Sequence, residues 1–188
     1  AWGMNHSDPI VQFIKNDLLN SDKFQIATSE KDQSNWKTDD GSLKMKDLVT
    51  IYSRLILNSS SSKKAVPIKV DEKKDFALKF WETICATPHF GQKGARTETV
   101  LQQPVVLKAL AKLSFDLAFG RKDVRNTAEY EKLLSAIKNG SISFQHTDGL
   151  WKALVAANTM AKREEFLPNI SKYLWIEPGT NFDVGTWD

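Results

Sequence analysis

One cysteine in 188 residues, Cys85, leaves no partner for an internal disulfide, and the expected setting is a reducing compartment. Histidine is nearly as scarce. His6, His89 and His146 lie far apart, and none has a second ligand three or four residues away. A zinc site needs several His or Cys at suitable spacing, so neither a metal nor another cofactor is expected. No apolar run approaches the roughly 18 residues of a membrane span, and no membrane association is expected. The first roughly 30 residues lack the charged-then-apolar plan of a secretory signal. The expectation is a cytoplasmic protein. Strand patterns are also sparse, and no internal repeat is present.

What the chain has is apolar and aromatic substance in helical register. It is 41% hydrophobic, with six Trp and ten Phe, enough for one domain across residues 1–188 to bury a core. Asp8-Pro9 reads as a helix start, a capping acid followed by Pro at the first helical position. Ile10, Phe13, Ile14 and Leu18 then recur at helical spacing towards Asn20. Ser42 caps a second helix whose stripe is Leu48, Ile51, Tyr52, Leu55 and Ile56. Asn58 and the run Ser59 to Ser62 end it, and residues 58–64 read as a mobile Ser-rich loop and not a domain boundary. A third helix is expected from about Asp71 to Ala86, with Phe76, Phe80, Trp81 and Ile84 on or beside one face. Thr97 to Phe119 is a long apolar segment that Pro104 kinks or divides. Asn126 or Thr127 caps the next helix, carrying Tyr130, Leu133, Leu134 and Ile137, and Asn139-Gly140 ends it. Ile142 and Phe144 alternate with serine as a short extended stretch. Trp151 to Phe166 forms the last helix before Pro168. The expected class is mainly α, an irregular multi-helix domain with little or no sheet.

Charge is distributed unevenly along this frame. Residues 63–125 carry 13 Lys or Arg against seven Asp or Glu, a local balance of +6, so the remainder sums to −3. Within residues 91–125 the count is seven cations against three anions. Gly91-Gln92-Lys93-Gly94-Ala95-Arg96 is a glycine-rich basic loop whose backbone N–H groups suit a phosphate. It lacks the four-residue glycine spacing and the Lys-Ser or Lys-Thr of a nucleotide-binding loop. Lys108 and Lys112 follow one turn apart on one helix face, and Arg121, Lys122 and Arg125 lie in the loop after it. Two basic loops flanking one helix suit a nucleic-acid backbone, read through phosphates with little sequence preference. The bland alternative is a solvated face.

Other chemistries have weaker footing. Cys85 closes an apolar helix four residues before His89, whereas a nucleophilic thiol needs a base and an electropositive, open setting. Glu164-Glu165 and Glu129 with Glu131 are sequence neighbours, not carboxylates facing across a cleft. Trp81 and Trp151 sit in amphipathic patterns as core residues, while Trp175 and Trp187 are candidates for base stacking.

Several marks occur in a fixed order: Asp75-Phe76 through Phe80-Trp81, Arg96, Val105-Val106-Leu107 leading to Ala109-Leu110, Ile142-Ser143-Phe144 ahead of Leu150-Trp151, and Asn181-Phe182-Asp183-Val184-Gly185. The stretch Gly41-Ser42-Leu43 through Leu48-Val49 precedes them. This order resembles the C-terminal half of the DndB-like proteins, regulators associated with DNA sulfur modification (phosphorothioation). They belong to the wider group of DGQHR-domain proteins of DNA-modification and defence loci. Phe182 stands where the family pattern has Arg, and the signature Asp-Gly-Gln-His-Arg string, which lies in the family's N-terminal half, is absent. The resemblance therefore implies the C-terminal piece of a longer protein, in keeping with an opening Ala1-Trp2-Gly3.

The resulting expectation is a non-enzymatic DNA-binding protein in transcription regulation of, or accessory support for, a DNA-modification system. Its phosphate contacts are expected at Lys93, Arg96, Lys108, Lys112, Arg121, Lys122 and Arg125. Its expected partners are DNA and the missing N-terminal half or another protein. The alternative is a helical protein-interaction module with aromatic anchors. An enzyme would instead require a pocket gathering Cys85, His89 and a carboxylate.

Overall fold

The computed structural model describes residues 7–18, 45–87, 90, 101, 104–119 and 127–145. These residues are mainly α-helical, with no strand among them beyond a single bridge residue at Gln145. The expected helix Trp151 to Phe166 and the C-terminal tail lie outside the described residues.

The first helix starts as its chemistry requires. Asp8 Oδ1 accepts a hydrogen bond from the Ile10 N–H at 2.8 Å, and Pro9, with no N–H to leave unsatisfied, takes the first helical position. This helix, α1, spans Pro9–Phe13 and then widens into a π-helical turn, Ile14–Leu18. Helix α2, Met45–Leu57, buries Leu48, Ile51, Tyr52, Leu55 and Ile56, the stripe its spacing predicts, together with Met45 and Ser53. Asn58, with φ 53°, ends it in the left-handed region that Asn tolerates better than most residues.

The Ser-rich stretch has local structure of its own. Ser61 caps a 3₁₀ turn, Ser62–Lys64, its Oγ accepting from the Lys63 N–H. The Ser62 hydroxyl donates to Asp8 Oδ2, fastening the turn to the start of α1.

The helix expected from about Asp71 to Ala86 is broken at Lys73, and its first two residues belong to a shorter helix before it. Helix α3 spans Pro67–Glu72 and α4 spans Lys74–Cys85, with Lys73 between them at φ −108°, ψ 9°. Pro67 starts α3 from the first helical position, a signal that the apolar periodicity of α4 overshadowed. The residue at the break is held by packing. The Lys73 ammonium donates to the Ile56 carbonyl at 3.2 Å, in the last turn of α2 where carbonyls lack helical partners. It also lies 4.9 Å and 4.4 Å from the ring centroids of Phe115 and Phe119.

Helix α5, Pro104–Phe119, begins at the proline expected to divide the apolar segment. Helix α6, Thr127–Lys138, ends at Asn139 and Gly140, whose φ of 79° suits glycine. Helices α2 and α5 form the main packed pair, α6 lies against α4 and α5, and α1 and α3 pack against α2 and each other. The aromatic load sits between these layers. Tyr52 meets Phe80 and Trp81 edge to face, with ring centroids 6.4 Å and 6.0 Å away, and Phe13 at a tilt, 5.6 Å away. A second group joins Phe76 to Phe119 at 4.9 Å and to Tyr130 at 4.6 Å. Trp81 is thus a core residue, as its pattern predicts. No helix among the described residues is long and apolar enough to cross a membrane.

Candidate nucleic-acid interface

Of the seven expected phosphate contacts, Lys108 and Lys112 are in the described structure. Lys93, Arg96, Arg121, Lys122 and Arg125 lie outside the described residues, as does the Gly91–Arg96 loop. Helix α5 carries Lys108 and Lys112 on one face, as their i, i+4 spacing requires, and that face borders α2. The Lys108 ammonium is 3.2 Å from Asp47 Oδ1 in the first turn of α2, its side chain 31% exposed. The Lys112 ammonium is 2.9 Å from Asp116 Oδ1 and 2.9 Å from Asn58 Oδ1, just past the end of α2. Both cations already hold oxygen ligands, so a phosphate there has to compete with Asp47 or with Asp116 and Asn58.

Half of the other six cations of the basic middle in the described structure, Lys73, Lys74 and Lys79, are likewise fasteners between helices. Lys74 pairs with Asp17 at 2.7 Å, joining α4 to the π turn. Lys79 pairs with Glu131, joining α4 to α6. That assigns Glu131, one of the acidic neighbours noted in the sequence, to a surface ion pair. Lys63, Lys64 and Lys69 differ: they are exposed and make no ion pair among the described residues. Sequence reasoning did not include them among the contacts. Their signal was the adjacent Lys63-Lys64 pair after a serine run, which holds cations on a short polar turn.

Cys85 is half-buried at the end of α4. Burial, with a smaller effect from Glu82, pushes its thiol from 9.0 up to about 12, so it is protonated at neutral pH and a poor nucleophile. His89 lies outside the described residues. An open groove of about 190 Å³ between α1 and α3 is lined by residues including Phe13, Asn16, Asp17, Val70 and Asp71, with no thiol or imidazole. No group of three or more His, Cys, Asp or Glu suited to a metal occurs among the described residues. The Tyr52 phenol is completely buried, and that burial raises its pKa well above 10.0.

Val66 and Ile68 are the exposed large hydrophobic side chains among the described residues. No family model, curated protein or solved structure matches the chain.

Proposed function

We propose that this chain is a DNA-binding regulatory or accessory domain of a DNA-modification system, of the phosphorothioation type that its resemblance to the DndB-like proteins implies. The observation that carries the DNA-binding part is the charge asymmetry, 13 cations against seven acids between residues 63 and 125. Lys93, Arg96, Arg121, Lys122 and Arg125, which flank α5, supply most of the phosphate contacts. Lys108 and Lys112 supply less, because each must first give up an internal partner.

The test is fluorescence-anisotropy binding to a labelled random duplex across a salt series. Affinity should fall linearly on a log–log plot, with a slope of about −0.9 per phosphate contacted. Alanine at the five flanking cations should remove about one contact each and weaken binding to all sequences alike. Alanine at Lys108 and Lys112 should change the slope less. Absence of binding at about 50 mM salt, or an unchanged slope in the five-fold variant, overturns the proposal.

A further inference from the structure

Residues 62–74 run alongside the first helix, and contacts at both ends fix that alignment. Ser62 bonds Asp8 at the start of α1, and Lys74 pairs with Asp17 in the π turn at 2.7 Å. Asp8 and Asp17 are nine positions apart, so the strip is roughly 13 Å long. Its outer edge has a charge order. At the Ser62 end, Lys63 and Lys64 are exposed, and the neighbouring Asp8 carboxylate is already occupied by the Ile10 N–H and Ser62. At the other end, Asp71, Glu72 and Asp75 are exposed, while Lys74 is paired with Asp17 and Lys73 is turned onto the Phe115 and Phe119 rings. Between the ends stand Val66, 41% exposed, Pro67, and Ile68, 66% exposed. Val70, two residues on from Ile68, is buried, so Ile68 projects from the opposite side of α3, outward. The two ends are separated by more than a Debye length of about 8 Å, so they act as distinct charges.

A strip that is basic at one end, apolar in the middle and acidic at the other is self-complementary under a two-fold rotation. We propose that this edge is a dimerisation surface and that its occupant is a second copy of this chain, antiparallel, with the two-fold axis at Ile68. Ile68 then packs on Val66, Pro67 and Ile68 of the second copy. Lys63 and Lys64 face Asp71 and Glu72 of the second copy, and the reverse pairing is made at the other end. Lys69, beside the axis, has Glu72 of its own helix one turn away. A nucleic acid or an anionic membrane fits this strip less well, because either one meets the Asp71, Glu72 and Asp75 end with like charge. Three apolar side chains fall short of a permanent interface, so the dimer is a weak one, in the range of roughly 10 µM to 1 mM.

Sedimentation equilibrium of the full chain tests this. The weight-average mass should rise with concentration from 21.2 kDa towards twice that value. The double variant K63E/K64E and the double variant D71K/E72K should each weaken association at least tenfold, because like charges then face each other at both ends. An equimolar mixture of the two should restore it, since each end then pairs opposite charges again. Ile68→Asp should abolish it. All these positions are exposed, and circular dichroism of each variant should match the parent. A parent chain that stays at 21.2 kDa up to about 1 mM, charge variants that associate like the parent, or a mixture that fails to restore association each overturns the proposal.

Discussion

Two buried tyrosines occupy the same core but differ in what their hydroxyls meet. The difference predicts substitutions of opposite sign. Tyr52 is fully buried among Phe13, Phe80 and Trp81, and its hydroxyl has no hydrogen-bond partner among the described residues. A polar group taken out of water with no partner costs about 1–3 kcal/mol. Tyr52→Phe keeps the ring and its aromatic contacts and removes only that penalty. It should leave stability unchanged or raise it by about 1–2 kcal/mol. Tyr130 is also buried, but its hydroxyl donates to the Phe76 carbonyl at 3.2 Å. Tyr130→Phe loses that bond and should lower stability by about 0.5–1.5 kcal/mol.

The assay is urea denaturation of the parent and both variants, compared at equal m-values so that midpoint shifts report stability. The expected spread between the two variants is about 2 kcal/mol. Alkaline titration followed by tyrosinate absorbance gives a second readout. Burial holds the Tyr52 pKa well above 10.0, so its tyrosinate signal should appear together with unfolding. A Tyr52→Phe variant destabilised by more than about 1 kcal/mol would refute the reasoning, because the hydroxyl would then be held by a partner such as a buried water.

Lys73 should matter more than an exposed lysine: Lys73→Met removes the donor to the Ile56 carbonyl and the cation over Phe115 and Phe119, and urea denaturation should show a loss of about 2 kcal/mol. Cys85 sets a pH dependence. Its folded pKa is raised from 9.0 to about 12, so above the unfolded value the unfolded chain loses a proton that the folded chain keeps. Stability should therefore fall through that window, by about 1.4 kcal/mol at pH 10 from this group alone. Cys85→Ala should lose that much less between roughly pH 8 and 10, and equal declines in parent and variant would exclude the buried thiol as the cause.

The helices were legible where one local signal dominated. Asp8-Pro9 carries both a side-chain cap and a proline at the first helical position, and Asn139-Gly140 supplies the left-handed stop of α6. The stripe of α2 was legible because its apolar positions recur at helical spacing and its buried serine, Ser53, does not interrupt them. The break at Lys73 was not legible. Lys73-Lys74 has no breaker chemistry, and the local sequence fits one continuous helix. Where α3 ends, Lys73 reaches the Ile56 carbonyl, 17 residues earlier, and two rings more than 40 residues later. The π turn was hidden for a related reason: Ile10, Phe13, Ile14 and Leu18 are all buried, and their spacing suits a continuous α-helix as well.

The candidate site was legible as a total and not as an arrangement. A sequence counts ammonium groups, but it does not say which carboxylate each one meets. The i, i+4 spacing of Lys108 and Lys112 places them on one face of α5, and whether that face looks outward or towards another helix depends on packing. Here it borders α2, with Asp47 and Asn58 in reach. One local clue existed, Asp116 four residues after Lys112, which marks that lysine as half-satisfied within its own helix. The lysines left exposed, Lys63, Lys64 and Lys69, lie on a 3₁₀ turn and a six-residue helix. The turn buries none of its residues and the short helix only Val70, so most of their side chains, the lysines included, face away from the packing. A basic segment that also contributes to a core loses cations to that core, and charge available to a partner concentrates where the chain is least packed.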